Sequence, residues 1–172
     1  GCINIAILLT DGGCDKEAIP HLPAAVAECE GKFQCESRGF GDDFVPDQLR
    51  QISGKLLGTV DLVRDAAAIE ADFQNIIEKS KGLAISDARI QLWMPQGAQL
   101  EYIKQVLPEI ADLTGKRTDG PNPLTGRYPT GAWGEESRDY HICIKVTPGS
   151  VGQKMLAGRV ALVVTEAMLL LQ

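Results

Sequence analysis

The chain has 172 residues, of which 44% are hydrophobic and 23% charged, enough to bury one moderate core or two small ones and ordinary for a soluble globular protein. Its 23 acidic and 17 basic residues leave a formal net charge of −6, which argues against a surface built for nucleic acid or anionic membrane, since phosphate binding needs a basic footprint. The longest apolar runs, such as 5–9 and 168–171, are too short to cross a bilayer, and no basic segment followed by an apolar one opens the chain as in a signal peptide.

Residues 3–9 read Ile-Asn-Ile-Ala-Ile-Leu-Leu and are bounded by Thr10-Asp11-Gly12-Gly13. A nearly continuous apolar run of this length predicts a strand covered on both faces, as in a parallel α/β sheet. From 19 to 29, Leu22, Ala25, Val26 and Cys29 recur at helical spacing, and Glu30-Gly31 stops the helix. A second strand is predicted over 33–40. Asp42 and Asp43 are N-cap candidates for a helix over 46–53 that carries Leu49 and Ile52. Residues 57–63 are short, apolar and β-branched, a third strand; 66–79 places Ile69, Phe73, Ile76 and Ile77 on one helical stripe. This β-α-β-α-β-α order with short links is an α/β signature.

Near Lys81-Gly82 the pattern changes. Residues 89–94 alternate, 99–110 read equally as strand or helix, and 114–134, rich in Gly, Pro and Thr, read as a long loop. Residues 139–146 alternate cleanly before a turn at Pro148-Gly149, and 159–165 predict a further strand. The expected organisation is therefore α/β, in two domains: 1–83 with a partial Rossmann-like parallel sheet and helices, and 84–172 as a β-rich, antiparallel, sandwich-like domain.

Five cysteines, Cys2, Cys14, Cys29, Cys35 and Cys143, include no Cys-x-x-Cys pair. The odd count favours reduced thiols and a cytoplasmic setting, with one or two bridges as the alternative. The abrupt start at Gly1-Cys2, directly before a buried strand, is expected of a fragment.

Leu8-Leu9-Thr10-Asp11-Gly12 resembles the closing motif of von Willebrand factor A (VWA) domains, in which a buried strand ends in a Thr-Asp-Gly turn. Arg38-Gly39-Phe40-Gly41-Asp42-Asp43-Phe44 is similar to the family's next strand, and Leu49-Arg50-Gln51-Ile52 and Gly58-Thr59-Val60 to its sequel. The motifs stand in the family's order over about residues 3–80. The resemblance implies a protein-interaction module in which Asp11, helped by Thr10, contributes to a metal-ion-dependent adhesion site holding Mg²⁺, with a partner's acidic residue completing the coordination. The family's leading Asp-x-Ser-x-Ser motif and its middle-loop Thr are absent from these 172 residues, so the resemblance implies an incomplete unit. Mg²⁺ demands near-octahedral oxygens, and such sites lie at the carboxyl ends of strands; Asp11 stands there with one carboxylate. Its plainer role is that of a turn residue bonding the following backbone.

Residues 84–172 resemble the domain that follows the VWA unit in a group of bacterial proteins, through Lys104-Gln105-Val106-Leu107-Pro108, Trp133-Gly134-Glu135-Glu136-Ser137-Arg138-Asp139-Tyr140-His141 and the stretch from Gly152 to Val160. This implies architecture rather than activity.

Other constellations read more plainly. Asp139, His141 and Cys143 share one face of a strand whose other face holds Tyr140, Ile142, Ile144 and Val146. The apolar set must face the core, so the polar set points outward, with a Cys/His enzyme as the minor alternative. Gly149 to Lys154 lacks the spacing of a phosphate loop and is a turn. Trp133, in a Gly-rich loop beside Glu135 and Glu136, is either a partner-binding anchor or a plug on its own core. Arg138 is an ion-pairing or backbone-bonding Arg. Without neighbouring strands, 3–9 would be an exposed apolar edge, from which a homo-oligomer, a partner polypeptide, or a structural role in a larger assembly is expected.

Overall fold

The computed structural model describes residues 3–164, so Cys2, Thr165 and the apolar run 168–171 lie outside the described residues. The chain divides into two compact units, Gly1–Leu83 and Ala84–Gln172.

In the first unit three strands, β1 (Ile5–Thr10), β2 (Gln34–Phe40) and β3 (Val60–Val63), pair in that order. Both pairings are parallel, with Ile5 opposite Gln34, Thr10 opposite Gly39 and Phe40 opposite Val63. All three strands therefore end at one rim. A short 3₁₀ turn, Ile19–His21, leads into α1 (Leu22–Cys29); α2 is Pro46–Lys55 and α3 is Ala66–Lys81. The helices take opposite faces because β2 alternates. Cys35 points to the side of α1 and α2, where Val26, Cys35 and Leu56 form a core against Ala6, Leu8, Leu22, Cys29, Phe33 and Ile52. On that same face Ser53 of α2 donates to the Cys35 carbonyl (2.8 Å) and to Ser37 Oγ (2.7 Å). Arg38 points the other way, to Asp72 of α3 at 2.8 Å.

Helix starts differ in how they are made. Asp65 caps α3, accepting from the Ala68 N–H at 2.8 Å, as an Asp at this position should. Asp42 and Asp43 do not cap α2. Its N-cap is Val45, without a side-chain bond, and the helix opens on Pro46, whose fixed φ pre-forms the first turn and which brings no N–H to satisfy. The chain is extended at Val45, which carries the two carboxylates away from the helix end.

The second unit holds β4 (Ile85–Trp93), β5 (Gln99–Leu107), β6 (Ala111–Asp112), β7 (Thr118–Asp119), β8 (Thr125–Trp133), β9 (Asp139–Lys145) and β10 (Arg159–Val164). They form a four-stranded sheet, β10-β4-β8-β7, and a three-stranded one, β6-β5-β9, with every pairing antiparallel. Ala88, Ile90, Leu92, Tyr128 and Ala132 from one sheet and Ile103 from the other are buried, with Leu113 between strands. Residues 99–107 resolve as strand. The long loop expected over 114–134 is instead a short turn, β7 and β8, the last lying between β4 and β7. Its inward positions Gly126, Tyr128, Thr130 and Ala132 are all buried, a period-two pattern hidden by small and polar residue types. Pro129 is tolerated because β7 pairs only with Gly126 and Arg127; beyond them one side of β8 has no ladder bond to lose.

Candidate functional site

The rim where the parallel strands end carries Thr10-Asp11, Asp42-Asp43 and Asp65. The turn after β1 is closed by Thr10, whose hydroxyl donates to the Gly12 carbonyl (2.9 Å) and accepts from the Gly12 N–H (3.3 Å). Cys14 N–H donates to Gln48 Oε1 at 2.8 Å, and a Cβ on Gly13 would fall 2.8 Å from Val45 Cγ2, so the loop is held against the start of α2. Thr10 thus performs the backbone-bonding role open to Asp11. Asp11 is exposed and, among the described residues, makes no hydrogen bond or ion pair. Asp65 is committed to its cap.

As a Mg²⁺ site these donors fall short. The ion needs near-octahedral oxygens; here the uncommitted carboxylates, Asp11 after β1 and Asp42 and Asp43 after β2, are all exposed, and the Thr10 hydroxyl is engaged in its own turn. Among the described residues no group of three or more His, Cys, Asp and Glu side chains gathers where a metal ion would sit. The residues of this chain do not fit a Mg²⁺ ion by themselves.

Sequence reasoning missed the buried charge behind the rim. Arg38, in the middle of the sheet, donates through Nε to Asp72 (2.8 Å) and through Nη1 to the Ser37 carbonyl (3.0 Å) and Thr59 Oγ1 (3.3 Å), with Glu36 3.7 Å away. Glu36 in turn accepts from the Thr59 N–H and hydroxyl. Alternation along β2 marks Arg38 as inward; its partner, 34 residues on, leaves no local trace.

In the second unit Trp133 packs on its own unit. Its indole N–H donates to Thr130 Oγ1 (2.9 Å), its ring stacks with Tyr140 at 6.5 Å and 21°, and the Arg138 guanidinium lies 4.6 Å from its centroid. Arg138 is a backbone-bonding Arg, donating to the carbonyls of Thr130 (2.5 Å) and Ala132 (2.6 Å), and its ion pair is with Glu136 (2.6 Å). Burial pushes the Tyr140 phenol up, and its hydroxyl is 3.0 Å from Gln105 Oε1.

His141 is exposed and Cys143 half-buried; across the ladder they face Lys104 and Tyr102. No hydrogen bond joins His141 to Cys143 among the described residues, whereas a nucleophile and its base stand within hydrogen-bond reach. On the same face Thr114 hydrogen bonds, helped by Lys104, hold the Asp112 carboxyl below the usual carboxylate range, an arrangement that steadies a turn. The described cysteines, Cys14, Cys29, Cys35 and Cys143, are free; burial pushes the Cys35 thiol up, away from reactive thiolate. Among the described residues no helix is long and apolar enough to cross a membrane.

No protein-family model matches the chain, and no curated protein does. A solved structure, von Willebrand factor type A from Catenulispora acidiphila, is similar at 50% identity with a TM-score of 0.90, over 96% of this chain and 39% of that one. The ArnB paralog VWA2 from Sulfolobus acidocaldarius matches at 14% identity and a TM-score of 0.35, over 93% of this chain and 40% of that one, too distant to argue from. The chain thus spans well under half the length of either relative. Its three parallel strands with a Thr-Asp-Gly turn at the rim, and half its residues identical to those of a relative of the same fold, place the chain in the von Willebrand factor type A family.

Proposed function

We propose that the chain is part of a VWA-type protein-interaction module, with Asp11 at its contact point. One observation carries the reading: Asp11 is an exposed, uncommitted carboxylate at the carboxyl ends of parallel strands, where α/β sheets bind their ligands. In the longer protein Asp11 supplies one carboxylate, supported by Thr10, toward a Mg²⁺ ion whose other ligands come from other polypeptide and from the partner. The four free thiols suit a reducing compartment such as the cytoplasm. To test this, the longer protein is used to capture its partner from source-cell extract in Mg²⁺ or in EDTA. Retention by wild type in Mg²⁺, lost both in EDTA and with Asp11→Ala, supports the reading; a partner held equally by Asp11→Ala sinks it. Because Asp11 is exposed and makes no hydrogen bond or ion pair among the described residues, the substitution is expected to shift stability by no more than about 0.5 kcal/mol.

A structural role is the second reading, favoured by the place of β1. It is an edge strand of its sheet, and Leu9 is exposed. An apolar edge with an open backbone ladder is a template for another chain, either a second copy or a partner that supplies a strand. Light scattering of the 172-residue chain at micromolar concentration is expected to give an oligomer that Ile7→Lys dissociates; a clean wild-type monomer removes self-association.

A further inference from the structure

The four-stranded sheet of the second unit runs past its cover. β10 pairs with β4 so that Val160, Leu162 and Val164 lie opposite Leu92, Ile90 and Ala88, and directly opposed residues of antiparallel strands point to the same face. On β4 this row is sealed, at 1%, 4% and 0% exposure, whereas on β10 it is open, at 58%, 50% and 38%. The residue types of a core have been continued onto a strand that the three-stranded sheet leaves uncovered. Beyond β10 no further strand is paired among the described residues, so one side of its backbone ladder is open as well.

The segment leading into β10 enlarges this surface. Residues 145–157 are exposed throughout, and Val151, Met155 and Leu156 are large apolar side chains held in solvent. Together with the β10 row they present on the order of 500 Å² of apolar surface, comparable to the largest patch on a typical monomer, which is often functional. Its charge is also distinctive. Residues 146–164 contain Lys154 and Arg159 and no Asp or Glu, within a chain of net charge −6.

We propose that β10 and the loop before it form a docking edge for an extended segment of another polypeptide, apolar at alternate positions and acidic at its ends, which adds as a further strand to the β10-β4-β8-β7 sheet. The open ladder selects an extended segment, since only a strand satisfies a row of backbone donors and acceptors. Alternating apolar side chains on that strand pack beside Val160, Leu162 and Val164 on the same face. Acidic ends answer Lys154 and Arg159. A second copy of this edge would bring the same cations instead. The surface is independent of Asp11 and of β1, so its test stands apart from theirs.

The ¹⁵N-labelled 172-residue chain is titrated with a synthetic peptide, Asp-Glu-Val-Thr-Val-Thr-Val-Thr-Glu-Asp, and with its counterpart carrying Lys at the acidic positions. Amide shifts concentrated at 159–164 are expected, with the Lys-ended peptide binding roughly tenfold more weakly at low salt. Leu162→Lys is expected to weaken the acidic peptide by about tenfold or more and Leu162→Thr by less, both retaining the dispersed amide spectrum of the wild type, since Leu162 is half exposed. No shifts with about 1 mM peptide, or equal affinity for wild type and Leu162→Lys, overturns the proposal. So does a wild-type dimer that Leu162→Lys dissociates, which would assign the edge to a second copy.

Discussion

Alanine at Gly58 is expected to destabilise the first unit by roughly 3 kcal/mol, while alanine at Gly54, four residues earlier, is expected to stabilise it by about 0.5 kcal/mol. The opposite signs follow from what each Cβ meets. Gly54 lies inside α2, and a Cβ there finds nothing within 4 Å; the substitution removes unfolded-state freedom and a poor helix former at no steric cost. A Cβ on Gly58 lands on the Cys35 carbonyl. That clash is with backbone, so no rotamer relieves it. Past α2 the chain turns through Leu57, at φ 57°, then runs so close to β2 that the Ser37 N–H donates to the Thr59 carbonyl at 2.8 Å. Gly58 permits this approach, and through it the parallel register of β2 with β3. Urea unfolding of the two variants against wild type measures both effects. Equal midpoints for Gly58→Ala and Gly54→Ala would mean that the two strands have room to separate.

The two units were not equally legible in the sequence, for a physical reason. Parallel strands and amphipathic helices write their periods in large apolar side chains, as residues 5–9 and 69–77 do, and both elements stand where those periods put them, although β1 is an edge strand and Leu9 and Ile77 are exposed. β8 writes its period in Gly126, Thr130 and Ala132, with Pro129 and Gly131 between, and Tyr128 is the one large side chain among its inward positions. Read by type, such a strand is a loop; read by burial, it lies inside the sheet. The candidate site divides in the same way. The Thr10-Asp11-Gly12 turn is local and visible. Arg38 with Asp72, and Gln48 with the Cys14 N–H, join positions 34 residues apart, so nothing in either local pattern announces them. Open edges are legible least of all, since whether β1 or β10 is covered depends on which strands pair, and a run such as 159–164 reads the same in the centre of a sheet as at its edge.

Trp133→Ala is expected to lower the stability of the second unit by about 3 kcal/mol, the lower end of the range for a large aromatic because the ring is half-buried. Arg138→Ala is expected to cost about 2 kcal/mol, and the double variant less than the sum by about 1 kcal/mol. The coupling follows from the stack. Arg138 covers one part of the indole at 4.6 Å while its Nη atoms are bonded to the Thr130 and Ala132 carbonyls of the strand that carries Trp133. Removing it uncovers the ring, takes the guanidinium donors from two carbonyls and breaks the ion pair with Glu136. Removing Trp133 leaves Thr130 Oγ1 without the indole N–H and Tyr140 without its stacking partner. Since Trp133 lies on β8 and Tyr140 on β9, that stack is a contact between the two sheets. Arg138→Lys restores a charge near the ring but not the fork that spans two carbonyls, so it should fall between Arg138→Ala and wild type. Urea unfolding monitored by circular dichroism reads all four variants. A Trp133→Ala midpoint equal to wild type would show that the ring contributes nothing to its own fold, and would return Trp133 to the alternative role of an anchor held ready for a partner.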